Sequence, residues 1–524
     1  MCVLRKFAEE RKLMNISLTN QEKQIFDLLK NVIKEKSPDT ILRVAGGWVR
    51  DKLMGKNSND IDISPDNMSG EQFANLVKSY MDEHGLHSGT VSVVKANPDQ
   101  SKPLATAMLK IFGLPIDFVQ LRTEEYADSR IPTAKPGTPE EDASRRDLTI
   151  NSLFYNIKTG QIEDYVGGIE DLKNGIARTP IDPHQTFMDD PLRILRTIRF
   201  ASRYGLELAP ELIEAARQPD VQNAFRNKIS KERIWQELAF KPEGQKLKPA
   251  ALTGPNPHNT AKLLEKLGLR DIIFEILPED VEQLRAEFGE GEIVPFDTEQ
   301  NNPHHNLSIW EHTLKGLEEA VNLVHNNPNV KDQVVAYLTM LLHDIGKRFT
   351  GIQGTHEEGH TTYHDHARVS ADLARNILTR LKAPNEIIDR VCNLILLHMR
   401  LHEAGDPLSP KALRRIIGKI GDDYKILVQL SQADALGKKD IPEEERNEIE
   451  TQYQDYNRKF EEAQNSMGGN KPQRPINGND LMELGIEPGP KMGEIFKEID
   501  EKLLENPGLS KEEALGIARK LMNT

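Results

Sequence analysis

The sequence predicts an α+β protein in which a head built on a mixed sheet is followed by helical regions. Three observations support this fold class. Ile41 and Leu42 run into Gly46-Gly47, as a strand meeting a tight turn does. Acidic and apolar residues alternate at residues 60–62, and Leu114, Ile116 and Phe118 recur at every second position of 114–119, which is the period of strands. After residue 189, arginines and apolar residues recur at spacings typical of helices.

The most informative segment is RVAGGWVRDKLMGKNSNDIDIS, residues 43–64. At Gly47 the missing side chain lets backbone N–H groups approach a triphosphate, and Arg50 lies early in the next helix, where it could hold phosphate oxygens bidentately. Asp60 and Asp62 would share one face of a strand, and paired carboxylates suit Mg²⁺. Either motif alone is usually an ordinary turn or a solvated loop. Together they predict a Mg²⁺-dependent site of nucleotidyl transfer.

A third carboxylate is expected on a neighbouring strand. In LPIDFVQLR the apolar Ile116 and Phe118 flank Asp117, with imperfect alternation, so Asp117 is the candidate. With the glycine pair and Asp60-Ile61-Asp62, the chain resembles the polymerase-β-like nucleotidyltransferase superfamily. The resemblance implies that Asp60 and Asp62 bind Mg²⁺ and that Asp117 helps to position or deprotonate the attacking hydroxyl.

A second cluster, GTPEEDASRRDLTINSLFYN, spans residues 137–156. Adjacent arginines beside an aspartate are most simply a surface ion pair. After the carboxylate segment, however, they resemble the motif by which class II tRNA nucleotidyltransferases hold the ribose and phosphates of the incoming nucleotide. The resemblance assigns this role to Arg146, with Arg145 as the alternative if the register is off by one.

A third cluster, DDPLRILRTIRFASR, begins a helix at residues 189–203, with Asp190 as N-cap and Pro191 at the first helical position. Four arginines share one face of this helix: Arg193, Arg196, Arg199 and Arg203. Aligned like charges repel, so an anionic partner is the economical explanation, and a network with acidic neighbours is the alternative.

Asp190 and Arg193 have a specific use in reading a base. Cytosine and adenine present an amino donor beside an unprotonated ring nitrogen, whereas uracil and guanine present a carbonyl beside N–H. An Asp acceptor beside an Arg donor therefore favours C or A. Here the chain resembles the class II CCA-adding enzymes, whose E/D-D-x-x-R motif serves as a protein template. Asp189 stands where glutamate is commoner, which leaves the reading pair intact, and Arg196 and Arg199 would support the helix and the phosphates.

Histidines become dense after residue 304. The order His312, His343-Asp344, Asp434 resembles the HD metal-dependent phosphohydrolases. Imidazole and carboxylate ligands together suit Ni²⁺, Mn²⁺, Fe²⁺ or Zn²⁺. His366 and His398 stand where two-metal members carry further ligands. The resemblance implies a transition-metal site here, independent of the Mg²⁺ site.

The chain of 524 residues is too long for one core and suggests three or four domains. We expect five segments: a helical lead-in at 1–40, the nucleotidyltransferase head at 41–180, a helical neck and body that bind RNA and nucleotide at 181–300, an HD domain at 301–440 and a helical tail at 441–524. No apolar run is long enough for a membrane span. Two cysteines favour a reducing cytoplasm. A net charge of −14 argues against a general polyanion binder.

The expected function is addition of C, C and A to tRNA from CTP and ATP. The expected fold is a polymerase-β-like head followed by all-α regions. We expect a second activity, hydrolysis of 2′,3′-cyclic phosphates or related groups, in the HD domain. A poly(A) polymerase is the nearest rival function, although no GRRF-like segment follows the arginine-bearing region. The chain could also act chiefly as an HD phosphohydrolase with an RNA-docking head, or as an enzyme that adds CC or A only. The oligomeric state has no sequence signal.

Overall fold

The computed structural model describes residues 16–94, 106–125, 133–243, 246–301, 307–356, 360–402, 408–438, 441–469 and 473–522. The chain divides into two compact units, Met1–Glu243 with Lys248–Ile272 and Gly244–Leu247 with Ile273–Thr524. The finer division into five segments stays a prediction. Among the described residues, no helix is both long and apolar enough to cross a membrane.

Thirteen strands precede residue 250 in the described residues. They are β1 Leu42–Ala45, β2 Ile61–Pro65, β3 Ser92–Val94, β4 Thr106–Ile111, β5 Leu114–Val119, β6 Arg122–Glu125, β7 Thr133–Pro136, β8 Phe154–Asn156, β9 Ile162–Glu163, β10 Ile176–Ala177, β11 Glu207–Leu208, β12 Phe240–Glu243 and β13 Lys246–Pro249. Seven form a mixed sheet in the order β3-β4-β5-β2-β1-β8-β9. Within it β2 and β5 run parallel, while the other pairs are antiparallel. This pairing sets two acid-bearing strands side by side.

Helices alternate with these strands in the first part of the chain and predominate after residue 250. Up to residue 273 they are α1 Asn20–Lys36, α2 Gly47–Leu53, α3 Gly70–Glu83, α4 Pro139–Ser144, α5 Gly168–Asn174, α6 Pro183–Asp189, α7 Leu192–Tyr204, α8 Pro210–Ala216, α9 Pro219–Lys228, α10 Lys231–Leu238, α11 Pro257–Lys266 and α12 Arg270–Ile273. Helix α7 begins one residue later than expected, with Pro191 at its cap, while Asp190 Oδ1 accepts from the N–H of Leu192 at 3.2 Å.

A buried aromatic cluster fixes the turn between β1 and α2. The ring of Trp48 lies 5.8 Å from that of Phe26 and 5.6 Å from that of Tyr155. Beneath it, Glu22 accepts from Trp48 Nε1 at 2.9 Å and pairs with Lys52 at 2.8 Å. Because removing one partner of a buried pair leaves a costly charge, this network holds α1 and α2 in one arrangement. The glycine turn is therefore anchored on both sides.

The second unit is mainly helical, as predicted. Its helices are α13 Pro278–Phe288, α14 Ile309–Val324, α15 Val330–Leu342, α16 His366–Arg380, α17 Asn385–Leu397, α18 Pro410–Ile420, α19 Tyr424–Leu436, α20 Glu443–Met467, α21 Gly478–Glu483, α22 Pro490–Glu505 and α23 Lys511–Met522. The expectation of an all-α region omitted a short antiparallel ribbon of β14 Gln353–Thr355 and β15 Thr361–Tyr363. Its strands have three residues each, too few for a clear alternation in the sequence.

Candidate active site and metal centre

Three carboxylates lie together on the sheet of the first unit. Asp60, Asp62 and Asp117 each offer an oxygen within 4.8 Å of the other two. Asp62 and Asp117 are register partners on the parallel strands β2 and β5, and Asp60 directly precedes β2. The structure thus brings together the three acids selected from the sequence, and their role as ligands stays a prediction.

The charges of this cluster oppose one another. Burial, followed by the charges of Asp60 and Asp117, raises the pKa of Asp62 to about 6. Burial and Asp60 also raise the pKa of Asp117. Acids that repel each other in a partly buried site bind a divalent cation favourably, because the cation relieves the repulsion. The residues therefore fit a Mg²⁺ ion.

Arg146 lies beside the glycine turn and the carboxylates. Gly46 has φ +68°, and a Cβ atom here would lie 2.7 Å from Nη1 of Arg146. The charge of Arg146 partly opposes the rise in the pKa of Asp62. Arg145 instead directs Nη1 to Glu124 at 3.1 Å. Of the two adjacent arginines, the structure brings Arg146 to the site, which was the preferred register.

Arg50 is buried beneath the same turn. Its Nε and Nη2 donate to Asp51 at 3.0 and 2.8 Å, and Nη1 donates to Asn151. The guanidinium also lies 4.6 Å from the centre of the Tyr204 ring. A Cβ atom on Gly47 would have Nη2 of Arg50 as its nearest neighbour, at 3.6 Å. Arg50 thus supports the turn through protein contacts, and its contact with phosphate stays a prediction.

Asp190 and Arg193 are each held by an opposite charge. Nη2 of Arg233 lies 3.2 Å from Oδ2 of Asp190, and Nη2 of Arg193 lies 3.7 Å from Oε2 of Glu124. Arg193 also lines a cavity of about 290 Å³ together with Asp189 and Arg145. Asp190 is not among the described residues that line this cavity. The base-reading role of the pair stays a prediction.

Carboxylates of the same unit neutralise most of the arginine row on α7. Arg196 Nη2 lies 2.7 Å from Asp147, and Arg199 Nε lies 2.6 Å from Glu237. With Glu124 near Arg193, three of the four arginines have acidic neighbours. Intramolecular ion pairs therefore offset the repulsion along this row, as the alternative expected, so the spacing by itself does not require an anionic partner.

Two residues near the site come from distant segments of the chain and were not predicted from the sequence. The charge of Lys248 on β13 partly opposes the rise in the pKa of both Asp62 and Asp117. Glu237 on α10 lies within 4 Å of both Arg196 and Arg199. A single lysine or glutamate carries no motif, so the sequence offered no signal for either residue.

Six predicted ligands converge in the second unit. One group is His312, His343 and Asp434, and the other is Asp344, His366 and His398, with ligand atoms within 4.8 Å inside each group. Nε2 of His343 lies 3.3 Å from carboxylate oxygens of both Asp344 and Asp434, which joins the two groups. The residues come from α14, the end of α15, the start of α16, the residue after α17, and α19. This is the full set expected of a two-metal HD centre.

The histidines of this set share one connection. Nδ1 meets a backbone carbonyl in each: His312 with Gly437 at 3.1 Å, His343 with Met340 at 2.9 Å, His366 with Tyr363 at 3.1 Å and His398 with Ile395 at 2.6 Å. A carbonyl only accepts, so Nδ1 carries hydrogen and Nε2 faces the centre. Among the described residues, Nε2 of His343, His366 and His398 is buried without a hydrogen-bond partner. Such oriented nitrogens fit metal ligation.

Electrostatics favour a cation at this centre. Burial alone would lower the pKa of His343, yet Asp344 and Asp434 raise it to about 10. Burial, then the charges of His343 and His366, lower the pKa of His398 to about 3. Positive charge is therefore favoured between the two aspartates. His398 stays neutral, and its Nε2 lone pair is free to bind a metal ion. This set of imidazoles and carboxylates fits transition-metal ions.

Two family models match the chain. The Poly A polymerase head domain matches residues 42–178, and the HD domain matches residues 309–446. The first range contains the three head carboxylates and Arg146. The second contains all six ligands of the metal centre.

Named relatives cover the chain in part or in full. The chain is 45% identical over 271 residues to a Candida glabrata protein named CCA tRNA nucleotidyltransferase, mitochondrial. The matched segment makes up 49% of each protein. The chain spans about half the length of the first curated relatives that it matches. A tRNA nucleotidyltransferase of Schizosaccharomyces pombe is 30% identical over 521 residues, or 96% of each protein.

Solved structures share the fold. A CCA-adding enzyme in an apo form has a TM-score of 0.59 at 20% identity over 99% of each chain. The Thermotoga maritima CCA-adding enzyme complexed with tRNA has a TM-score of 0.55 at 20% identity, over 99% of this chain and 98% of that one. Because the fission yeast relative is matched over nearly its whole length, the chain belongs to the tRNA nucleotidyltransferase family of CCA-adding enzymes, and it carries an HD domain.

Proposed function

We propose that the head adds C, C and A to the 3′ end of tRNA from CTP and ATP. The observation that carries the proposal is the cluster of Asp60, Asp62 and Asp117 beside the glycine turn and Arg146. Mg²⁺ held by Asp60 and Asp62 would neutralise the triphosphate and the charge that develops during transfer. Asp117 would orient the attacking 3′ hydroxyl.

Further residues of the first unit would bind the nucleotide. The backbone at Gly47 would approach the triphosphate, and Arg146 would hold the ribose and phosphates. Asp190 would accept from the amino group of cytosine or adenine, while Arg193 would donate to the adjacent ring nitrogen. A base with the opposite pattern would leave buried polar groups unpaired, which discriminates strongly.

The names of related proteins support this substrate class. CCA-adding enzymes of similar fold have been solved in complexes with CTP, with ATP and with tRNA. The rival is a poly(A) polymerase, which would extend general RNA ends with A.

The deciding experiment supplies tRNA that lacks its 3′ end with each nucleoside triphosphate separately. CTP alone should add two residues, and ATP should then add one. Asp62→Ala serves as the inactive control. Long A tracts on unrelated RNA would point to the poly(A) polymerase, and a stop after CC would indicate a partial enzyme.

We also propose that the HD centre hydrolyses 2′,3′-cyclic phosphates at tRNA ends. The buried Nε2 atoms aimed between Asp344 and Asp434 support a transition-metal phosphohydrolase. Hydrolysis adds water across one P–O bond of the ring and leaves a phosphomonoester and a free hydroxyl. When the P–O3′ bond breaks, the freed 3′ hydroxyl is the group that the head must extend.

The test is hydrolysis of a 2′,3′-cyclic nucleotide with Ni²⁺ or Mn²⁺ added, together with elemental analysis. Wild type should bind metal and turn over, and the double variant His343→Ala, Asp344→Ala should do neither. If wild type binds no metal and shows no turnover with any of the ions, the histidines are structural and the proposal is rejected.

We propose that the protein acts in the cytoplasm. Two cysteines favour the cytoplasm. Two relatives are named mitochondrial, so the mitochondrion is the alternative. Imaging of the tagged full-length protein would decide between them.

A further inference from the structure

A fifth imidazole, that of His402, lies at the HD centre. Its Nε2 lies 3.0 Å from Oδ2 of Asp434. The second oxygen, Oδ1, lies 2.8 Å from Nε2 of His312. Asp434 therefore presents one oxygen to the ligand group and one to His402, and the contact with His402 restricts the rotation of the carboxylate.

The connection at Nδ1 distinguishes His402 from the four ligand histidines. Nδ1 of His402 meets the hydroxyl of Tyr453 at 3.2 Å, whereas each of the four meets a backbone carbonyl. A hydroxyl can donate, and a carbonyl cannot. With Tyr453 donating to Nδ1, the neutral ring carries its hydrogen on Nε2, on the side of Asp434.

The opposite tautomer is unfavourable. It would set the lone pair of Nε2 against a carboxylate oxygen 3.0 Å away. Nε2 and Oδ2 lie within hydrogen-bond distance, although they are not aligned for a hydrogen bond. The contacts therefore favour a chain of donors that runs from Tyr453 through His402 to Asp434. In a metal-bound centre the four ligand histidines would point a lone pair at the ion, whereas His402 would turn a hydrogen toward the ligand Asp434.

Tyr453 comes from outside the matched HD domain. It lies on α20, and the family match ends at residue 446. Its side chain is 2% exposed, and burial together with the charge of Asp434 raises its pKa, so the hydroxyl keeps its hydrogen. Helix α20 thus supplies a group to the centre that the domain match does not contain.

We propose that His402 and Tyr453 are positioning residues that hold Asp434 in its metal-binding orientation, so that helix α20 sets the metal affinity of the HD centre. The inference rests on the proposed metal centre. Outer contacts of this kind typically change metal affinity by about 10- to 100-fold. They fix a ligand without touching the ion.

The test uses the full-length protein with Ni²⁺ or Mn²⁺ alone as the probe, and it measures the dissociation constant by competition with a chelator. Tyr453→Phe removes only the hydroxyl and should weaken binding about 10-fold or more. His402→Leu should weaken it further. His402→Gln keeps an N–H near the place of Nε2 and should restore most of the affinity.

The matched control is Tyr456→Phe, one turn further along α20 and also buried. It should bind metal like wild type. Nucleotide addition by the head and the thermal midpoint should change little in any variant, which separates positioning from loss of fold.

Two results would overturn the inference while leaving the metal centre in place. One is equal affinity of Tyr453→Phe and wild type. The second is an equal loss in His402→Gln and His402→Leu, which would mean that the donor N–H does not matter. If wild type itself binds neither ion, the metal centre is rejected and the positioning role with it.

Discussion

Asp62 and Asp117 are register partners on two parallel strands, although a helix and two strands lie between them in the described part of the sequence. Their side chains therefore share one face of the sheet, with Asp60 beside them. Burial and mutual repulsion raise the pKa of Asp62 to about 6. A divalent cation bound here would relieve this repulsion.

Asp62→Asn should abolish nucleotide addition while tRNA binding persists, because the carboxylate would hold Mg²⁺ rather than RNA. Loss of metal stabilisation worth several kcal/mol corresponds to a rate loss on the order of 10³-fold or more. Addition to shortened tRNA and a gel-shift assay measure the two effects. Asp82→Asn on the exposed surface of α3 is the control, and normal addition by Asp62→Asn would reject the site.

Gly46→Ala should reduce the stability of the protein, whereas Gly47→Ala should weaken nucleotide binding. Alanine at Gly46 must adopt φ +68° and approach Arg146 at 2.7 Å, which should cost at least about 1–2 kcal/mol of stability. Alanine at Gly47 meets only Nη2 of Arg50 at 3.6 Å, so the protein should fold normally but bind CTP and ATP more weakly. Urea unfolding and the KM for each nucleotide measure these effects. Unchanged KM values in Gly47→Ala would mean that the triphosphate does not approach this turn.

Arg193→Ala should relax the preference for C and A over U and G and should slow addition. A lost charged hydrogen bond costs about 1.5–3 kcal/mol, or ~10- to 150-fold. Single-nucleotide addition with all four triphosphates measures the preference, with Arg203→Ala on the same helix as control. A slower reaction with unchanged preference would assign Arg193 to phosphate binding instead.

Asp142 should make stability fall in acid. Burial alone would raise its pKa, yet Arg146 and Arg145 lower it to about 2. The native state thus binds fewer protons than the unfolded state between about pH 4 and pH 2, so stability falls as pH falls through this range. The ionised Asp142 carboxylate, with its two arginine partners, should contribute about 2 kcal/mol to the free energy of unfolding at pH 7. Urea midpoints of wild type and Asp142→Asn should therefore converge toward pH 2, and a constant difference would contradict this origin.

The double variant His343→Ala, Asp344→Ala should lose bound metal but keep CCA addition to an intact tRNA end. The six HD ligands include no residue of the head cluster. Elemental analysis and the addition assay, run on one preparation, measure both effects. A parallel loss of addition would show that the two activities depend on each other.

Local patterns in the sequence predicted much of the site. The glycine turn and the grouping of Asp60 with Asp62 follow from short-range periodicity and residue chemistry. The fold class was predicted as well, apart from short strands in regions expected to be all-α, which are β11, β12 and β13 in the neck and body and the ribbon of β14 and β15. Partners of charged residues were not predictable, because nothing near Arg196 in the sequence indicates Asp147 or Glu237.

The sequence by itself determined which residue types could bind Mg²⁺ or a transition metal, and on which faces of strands and helices they stand, because these depend on spacings of a few residues. The tertiary structure decided which of them meet. Parallel pairing of β2 and β5 brings Asp117 to Asp62, packing selects Arg146 over Arg145 at the glycine turn, and α20 brings Tyr453 to His402. Such contacts join residues far apart in the chain, and they are set by the packing of whole elements rather than by any local pattern.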